Sequence, residues 1–287
     1  KVYCIDGKDA QFDNLLDATG YPENPLGLCG YNCRHSFTPF LPGVSQNHNK
    51  PIDTEANRRA YELSQTQRAM ERRIRAQKRK CAALHTAVKN CEDLAAKAKL
   101  QEKYTQSAKR LQEQNAAYTK FCADNDLKPY HERLAVAGWD RSAASTASAA
   151  VREQKRVDKM IAEFNAEHMA KDPAELLPKH EYAHGVKGKL LNYSLNMKEG
   201  ASGRDKAVVF QAALGYNANN YELLMQEIMA GVGRYKASGK TTTEHGEKFT
   251  VRMLVKGANG RYVPIRTGWI IAPEDRTPRM TTAFVDR

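Results

Sequence analysis

The hydrophobic and polar positions divide the chain into three sections. Residues 1 to about 50 are rich in Gly, Pro and Asn and show no sustained period, so we expect only short regular structure there. From Asp53 or Thr54, either of which can cap a helix, to about Asn125, helix formers dominate. From about Val186 onward, helix signals are followed by the alternation typical of strands. This order predicts an α+β protein with a long helical middle section.

Two apolar stripes run through the helical section at spacings compatible with a 3.5-residue period. They consist of Met70, Ile74, Cys81, Leu84, Val88 and Cys91, and of Leu100, Tyr104, Leu111, Tyr118 and Phe121. Asn90 and Asp93 lie between the stripes and favour a break, because their side chains compete for backbone hydrogen bonds. We predict a helical hairpin over residues 54–125, with one unbroken coiled-coil helix as the alternative.

The last hundred residues predict two helices and then a short antiparallel sheet. Ser202 is the candidate cap of the first helix, and Gly215 fits its end. The second helix carries Tyr221, Leu224 and Ile228. Three strands are predicted, around residues 249–255, 261–271 and 280–285.

Asn259-Gly260 predicts a two-residue turn between the first two of these strands, and this turn determines their pairing. In that register Arg266 faces Met253 on the apolar side of the sheet. A buried, unpaired guanidinium is very costly, so we expect Arg266 to have an acidic partner or an anionic ligand. A bulge at Pro264 would reverse the register, and an exposed strand arginine is the alternative.

The composition adds a strong positive charge. The 287 residues carry a net charge of +12, and the aromatic share of 8% is small for one large core. A basic balance of this size favours polyanions such as nucleic acid, an acidic protein surface or anionic lipid. No apolar run approaches the ~18 residues that a membrane span needs, so we expect no membrane partner.

The positive charge is concentrated between Arg68 and Lys80, where Glu71 is the only acid. Contacts with the phosphates of DNA or RNA are therefore predicted for Arg68, Arg72, Arg73, Arg75, Lys78, Arg79 and Lys80. An acidic protein partner or a solvated helix is the alternative.

The cysteines are dispersed through a chain without a secretion signal, which favours reduced thiols made in a cytoplasm. The spacing of Cys29, Cys33 and His35 suits zinc, which prefers four thiolate or imidazole ligands, and Cys4 is the candidate fourth ligand. The neighbouring glycines at positions 27 and 30 would let the backbone wrap around an ion. Buried free cysteines beside a backbone-bonded histidine are the alternative.

The last domain also holds candidates for phosphate chemistry. His245, in a polar loop before the first predicted strand, is a candidate general base for RNA cleavage, with Arg266 stabilising the phosphorane. Thr267, Thr282 and Lys206 are candidate donors to the phosphate. A solvated loop histidine is the alternative. The sequence contains no Walker A, HExxH or GxSxG motif.

Two segments of the first half carry a family resemblance. The first is Gly27-Leu-Cys-Gly-Tyr-Asn-Cys-Arg-His-Ser-Phe-Thr-Pro-Phe-Leu-Pro-Gly43, which resembles the Cys-Arg-His motif of minor capsid proteins from phages of Gram-positive bacteria. The second, residues 61–75, resembles the helical region downstream of that motif, so the resemblance covers residues 1 to about 137. It implies a minor head protein of the virion, present in few copies near the portal and assembled in the bacterial host cytoplasm. Its implied partners are the portal protein and the major capsid protein.

Further segments, from Leu190 to Thr282, resemble an uncharacterised domain at the carboxy-terminus of phage head proteins and of bacterial polymorphic toxins. The quoted segments are 190–193, 205–210, 214–216, 266–271 and 278–282. The association with toxins implies a small ribonuclease, which is an analogy of fold and not a demonstrated activity.

The complete prediction has four segments. Residues 1–50 form a Cys/His loop region that ends a truncated upstream domain, since the chain begins at Lys1 without Met. Residues 51–137 form the basic helical region, and residues 138–185 a helix and linker in which a Ser/Ala/Thr-rich stretch at 140–150 precedes the helix. Residues 186–287 form the toxin-like α+β domain. The predicted function is a structural minor capsid or head morphogenesis protein, with a ribonuclease-like effector or a basic nucleic-acid-binding module as alternatives.

Overall fold

The computed structural model of the chain describes residues 1–31, 33–46 and 53–286. It divides into two compact units, Lys1–Ser64 and Gln65–Arg287. In the described residues, no helix is both long and apolar enough to cross a bilayer.

The amino-terminal unit has little regular structure. It contains the short helix α1 (Leu15–Thr19), whose first turn is capped by the Asn14 side chain. Cys4 and Asn14 form an isolated parallel bridge. None of the described residues of this unit is buried, so its side chains form no core of their own.

The predicted helical hairpin is confirmed. Helix α2 (Thr54–Asn90) begins where the Asp53 carboxylate accepts a hydrogen bond from the Ala56 amide at 2.9 Å. Helix α3 (Leu94–Asp124) begins where Asp93 accepts from the Ala96 amide at 2.6 Å. The two helices run antiparallel, and Ile74, Cys81, Tyr104, Leu111 and Tyr118 are buried between them.

The interface of the hairpin also contains a polar seam that the apolar stripes did not predict. Gln67, Glu71 and Gln77 are buried on α2. The Gln77 amide donates to both the carbonyl and the hydroxyl of Ser107, at 2.8 and 2.7 Å. The Tyr118 hydroxyl donates to the Glu71 carboxylate at 3.1 Å. Because an unpaired buried polar group is costly, these bonds favour one register of the two helices over its neighbours.

Helix α4 (Arg141–His168) packs against α3 and includes the Ser/Ala/Thr-rich stretch, so the expectation that this stretch precedes the helix is wrong. Asp140 caps the helix by accepting from the Ala143 amide at 2.8 Å. Ala147 and Val151 are buried in the same core as the hairpin. Small side chains at this contact allow the helices to approach closely, which is a packing reason for their presence.

The carboxy-terminal part confirms the α+β class. Helix α5 (Val186–Lys189) continues into one π-helical turn, Leu190–Ser194, and is followed by α6 (Arg204–Leu214) and α7 (Tyr221–Val232). The strands are β1 (Ala237–Thr243), β2 (Gly246–Lys256), β3 (Tyr262–Ile271) and β4 (Pro278–Val285), antiparallel in the order β1-β2-β3-β4. Gly215 ends α6 as predicted, but Gly203 and not Ser202 occupies its N-cap position.

One face of this sheet packs on α6 and α7 to form the core. Val251 and Met253 of β2 are fully buried, and so are Phe210 of α6 and Ile228 of α7. A Cβ at Gly231 of α7 would lie 2.4 Å from the Met253 sulfur, so this glycine lets the helix approach the strand closely.

Strand β1 was not predicted. Its sequence, from Ala237 to Thr243, contains no apolar alternation, and its central residues are exposed. It is an edge strand that pairs only with β2, and its register shifts between Ser238 and Thr241. Backbone pairing maintains this strand where side-chain burial does not.

The predicted register between β2 and β3 is wrong by one residue. The Gly257 amide donates to the Arg261 carbonyl at 2.7 Å, and Gly260 takes a left-handed φ of 79°. The loop therefore has three residues and ends in a left-handed glycine, instead of two residues. Met253 pairs with Ile265, so every residue of β3 lies on the face opposite to the predicted one. Pairing continues without a register shift through the proline at position 264.

Two adjacent leucines of α7 test this placement of the core. Leu224 is fully buried, whereas Leu223 is 46% exposed. We expect Leu224→Ala to lower the free energy of unfolding by about 2–5 kcal/mol, because it leaves a cavity in the core. Leu223→Ala should change it by about 0.5 kcal/mol or less. Urea unfolding followed by circular dichroism measures both, and equal losses would contradict this orientation of α7.

Candidate functional site

The predicted metal ligands lie in the amino-terminal unit. The Cys33 sulfur is 3.3 Å from Nδ1 of His35, and the Cys4 thiol donates to the Asp6 carboxylate at 3.0 Å. Cys29 is exposed. Across the described ranges, no group of three or more His, Cys, Asp or Glu side chains is placed to hold a metal ion. Zinc at Cys4, Cys29, Cys33 and His35 therefore stays a prediction.

The contact between Cys33 and His35 has an electrostatic consequence. Hydrogen bonds from the His35 backbone and then from its imidazole lower the pKa of the Cys33 thiol below its usual value. Hydrogen bonding to the thiolate favours the charged form, so Cys33 is deprotonated at a lower pH than an ordinary cysteine.

The two glycines of this loop have a packing role. A Cβ at Gly27 would lie 2.4 Å from the Thr19 carbonyl oxygen, and one at Gly30 would lie 2.2 Å from the Pro25 carbonyl oxygen. Both positions therefore need glycine because the backbone folds directly on residues 19–25. Their presence is explained without a bound ion.

The amino-terminal unit exposes large hydrophobic side chains. In its first 46 residues, six such side chains have more than 60% of their surface accessible: Ile5, Leu26, Tyr31, Phe37, Leu41 and Val44. Single exposed hydrophobic residues are common, but six within 40 residues that lack a core are typical of a surface that another protein covers.

The basic residues between positions 68 and 80 form two sets. Arg75 donates to the Arg133 carbonyl at 2.5 Å, and Lys78 donates to the Leu134 carbonyl at 2.7 Å. Burial lowers the pKa of Lys78 below its usual value. These two cations hold the 3₁₀ turn at residues 131–134 on the hairpin and are less available to a phosphate.

The other five cations of this segment are exposed, and within the described chain none of them has a carboxylate within 4.0 Å. Arg68, Arg72 and Arg79 are spaced by four and seven residues, so they share one side of α2. We call these three residues the arginine stripe. Sequence reasoning missed the stripe, because all seven charges together surround most of the helix.

The predicted catalytic pair is not brought together. His245 lies in the turn between β1 and β2, and its side chain is 74% exposed. Arg266 pairs with Arg252, which is six residues along β2 from Gly246. At about 3.3 Å per residue the two sites are separated by roughly 20 Å along the strand. His245 and Arg266 therefore cannot act on the same phosphate in this conformation.

Thr267 lies on the core face of the sheet and is fully buried. Its hydroxyl donates to the Val251 carbonyl at 3.1 Å and accepts a hydrogen bond from the Trp269 indole at 2.9 Å. Trp269 is itself buried, so the pair satisfies a polar group inside the core and does not face a ligand.

The predicted place of Arg266 on the apolar face is wrong: Arg266 is exposed on the face of the sheet away from α6 and α7, where it does have an acidic partner. We call this the outer face. Asp286 accepts from Arg252 at 2.5 Å and lies 3.1 Å from Arg266. Nε2 of His168 lies 2.7 Å from the Arg252 guanidinium, which can only donate, so Nε2 is the acceptor of this hydrogen bond. Nothing in the local sequence of β2 or β3 pointed to Asp286 or His168.

Lys206 and Thr282 are the two predicted catalytic residues that do contact each other. The Lys206 ammonium donates to the Thr282 hydroxyl at 2.9 Å. Lys206 comes from the first turn of α6, and Thr282 lies beside a bulge in β4 opposite Gly268. The structure thus brings these two side chains together, and a phosphate site at them stays a prediction.

Comparison with known proteins gives one family match at each end of the chain. Residues 1–123 match the family described as phage minor capsid protein 2, and residues 176–287 match a domain of unknown function (DUF6883). A structural protein of Lactococcus phage mv4 is 39% identical over 69 residues, which are 24% of this chain and 56% of that protein. The chain thus spans little more than half the length of the curated relative it matches. No solved structure matches.

Residues 1–123 are thus similar to phage minor capsid proteins, which confirms the resemblance of the Cys-Arg-His segment and of the helix that follows. The second match agrees with the resemblance of residues 190–282 to an uncharacterised domain.

The lowered pKa of Cys33 predicts its reactivity. Iodoacetamide should modify Cys33 at a lower pH than in the His35→Ala variant, because the variant loses a hydrogen bond that stabilises the thiolate. Mass spectrometry of the Cys33 peptide, with the Cys91 peptide as internal control, gives the rate against pH. The curve for Cys33 should shift to higher pH in the variant, and an unchanged curve would show that the imidazole does not act on this thiol.

Proposed function

We propose that this chain is a minor structural protein of a tailed-phage head, attached through its amino-terminal unit to the portal protein or the major capsid protein. One observation carries the proposal: the match to a phage minor capsid family includes the amino-terminal unit, whose first 46 residues expose six large hydrophobic side chains and whose described residues include none that is buried. Such a segment gains apolar burial when a partner covers it. Its place is the virion, after assembly in the host cytoplasm.

The second part of the proposal is that the arginine stripe contacts nucleic acid inside the head. Three guanidinium groups on one side of a rigid helix match the closely spaced phosphates of a DNA backbone. The three guanidinium groups are available for this contact, because no carboxylate of the described residues lies within 4.0 Å of them. The interaction needs no base-specific contact and would be strongly salt-dependent.

The ribonuclease-like alternative has less support. A general base must reach the nucleophile of the substrate, and His245 is far from Arg266 along the strand. His168, which contacts the strand partner of Arg266, already accepts a hydrogen bond from that partner, Arg252. We therefore favour a structural role for the chain as a whole.

The capsid proposal predicts incorporation into particles. Mass spectrometry of purified virions from a producing culture should detect the chain, and Phe37→Ser with Leu41→Ser should reduce its amount severalfold, because the variant loses apolar contact area. Val208→Ser, which changes an exposed residue of α6, is the matched control. Particles without the chain would overturn the capsid role, whereas full incorporation of the double variant would overturn only the docking surface.

The nucleic-acid proposal predicts a change in salt dependence. Replacing Arg68, Arg72 and Arg79 by Ala should weaken binding of double-stranded DNA and reduce the slope of log K against log salt by about 0.9 per lost phosphate contact. The matched control replaces Arg141, Arg152 and Lys155 of α4, which are also exposed, with the same change of net charge. Equal effects of the two triple variants would show that net charge, and not the stripe, governs binding.

A further inference from the structure

The carboxy-terminal domain contains two half-buried lysines, Lys189 and Lys206, that have no carboxylate of the described residues as a counter-ion. Lys206 is half-buried, and its ammonium lies 4.4 Å from the centroid of the Tyr193 ring and 5.5 Å from that of Phe284. Lys189 is also half-buried, and its ammonium lies 4.8 Å from the same Tyr193 centroid. No carboxylate of the described residues lies within 4.0 Å of either ammonium.

These cations lack protein acceptors as well as counter-ions. An ammonium has three N–H donors, and the Thr282 hydroxyl accepts one from Lys206. In the part of the chain that the structure describes, Lys189 has no hydrogen-bond acceptor. Aromatic rings attract cations but accept no strong hydrogen bond, so both lysines retain donors for an anion.

The Thr282 hydroxyl, which contacts Lys206, has a second hydroxyl group next to it along the strand. The register between β3 and β4 shifts after Gly268, and the shift inserts Thr281 next to Thr282. A Cβ at position 268 would lie 2.9 Å from the Thr282 methyl carbon and 3.0 Å from the Thr281 hydroxyl oxygen. Glycine at this position therefore leaves room for both threonines on the outer face. Because the Thr282 oxygen accepts from Lys206, its own hydrogen is available to donate to a ligand.

A third cation completes the surroundings. The guanidinium of Arg266 lies 6.0 Å from the centroid of the Phe284 ring, the same ring whose centroid is 5.5 Å from the Lys206 ammonium. Asp286 forms an ion pair with this guanidinium, but 45% of the Arg266 side chain is exposed. Arg266 thus adds positive potential near Lys206 while its own charge is partly balanced.

We propose that Lys189, Lys206, Thr281 and Thr282 form a phosphate-binding site, with Arg266 as a nearby supporting charge. The ligand is a phosphate group, either a phosphodiester of a nucleic-acid strand or a free phosphate or phosphate ester. Lys206 contacts Thr282, both lysines lie against the Tyr193 ring, and both threonines lie beside Gly268. Ammonium and hydroxyl groups are the donors that bind tetrahedral oxyanions. The site binds its ligand without cleaving it, and it does not depend on the capsid role.

The test uses the full chain with the arginine stripe replaced by Ala, so that the helix contributes little to anion binding. Inorganic phosphate is titrated by calorimetry at constant ionic strength in chloride. Lys206→Met should weaken phosphate binding about tenfold or more, because it removes a charge-assisted hydrogen bond and keeps the apolar stem. Thr282→Val, which keeps the shape of the side chain, should weaken it severalfold. Lys248→Met, at an exposed lysine of β2, is the control with the same charge change and should have less than about a twofold effect.

A second titration identifies the source of the phosphate. A short single-stranded RNA is added to the same variants and followed by fluorescence anisotropy. Loss of RNA affinity in Lys206→Met, parallel to the loss of phosphate affinity, assigns the site to a nucleic-acid strand. Unchanged RNA affinity together with weakened phosphate binding assigns it to a small phosphate ligand.

The proposal is overturned if neither ligand binds the parent chain, or if Lys206→Met and Lys248→Met behave alike in both titrations. Circular dichroism checks that each variant folds. If Lys206→Met does not fold, Lys189→Met and Thr282→Val take its place, with the same expected direction.

Discussion

The loop between β2 and β3 is held against the end of α6 by Asn259, and this contact determines the chemistry of the sheet. The Asn259 side chain donates to the Ala213 carbonyl at 3.1 Å, and its backbone amide donates to the Leu214 carbonyl at 3.3 Å. The loop therefore takes the three-residue form, which fixes the register of β3. Because neighbouring residues of a strand face opposite sides, this one register places Thr267 in the core and Arg266 on the outer face.

The two units differ in how far they bury their apolar side chains. In the carboxy-terminal unit, the sheet packs on α6 and α7, and the hairpin combines apolar contacts with a polar seam whose groups are hydrogen-bonded. The amino-terminal unit has neither, and its glycines at positions 27 and 30 allow the backbone to fold on itself instead. A segment of this kind is well suited to a partner surface, because it offers apolar side chains that no internal core has used.

The excess of positive charge is distributed unevenly between structural and available cations. Arg75 and Lys78 are bonded to backbone carbonyls, and Arg252 and Arg266 share Asp286. The arginine stripe, Lys189 and Lys206 lack such partners within the described chain. The net charge of +12 therefore overstates the positive charge that a ligand can contact, because some cations are already bonded to carbonyls or carboxylates of the protein.

Local signals in the sequence determined the helix ends and the fold class. Caps such as Asp53 and Asp93 and the left-handed Gly215 act within a few residues, so the sequence alone predicted the hairpin and most of α6. The family resemblance likewise depended on contiguous segments. Contacts between distant residues were decided by the tertiary structure: Lys206 and Thr282 are 76 positions apart and Arg252 and Asp286 are 34 apart, so no local signal connects them. Strand β1 and the register of β3 were also decided by the tertiary structure. Backbone pairing stabilises β1, and packing of the loop against α6 fixes the register, whereas side-chain periodicity indicates neither.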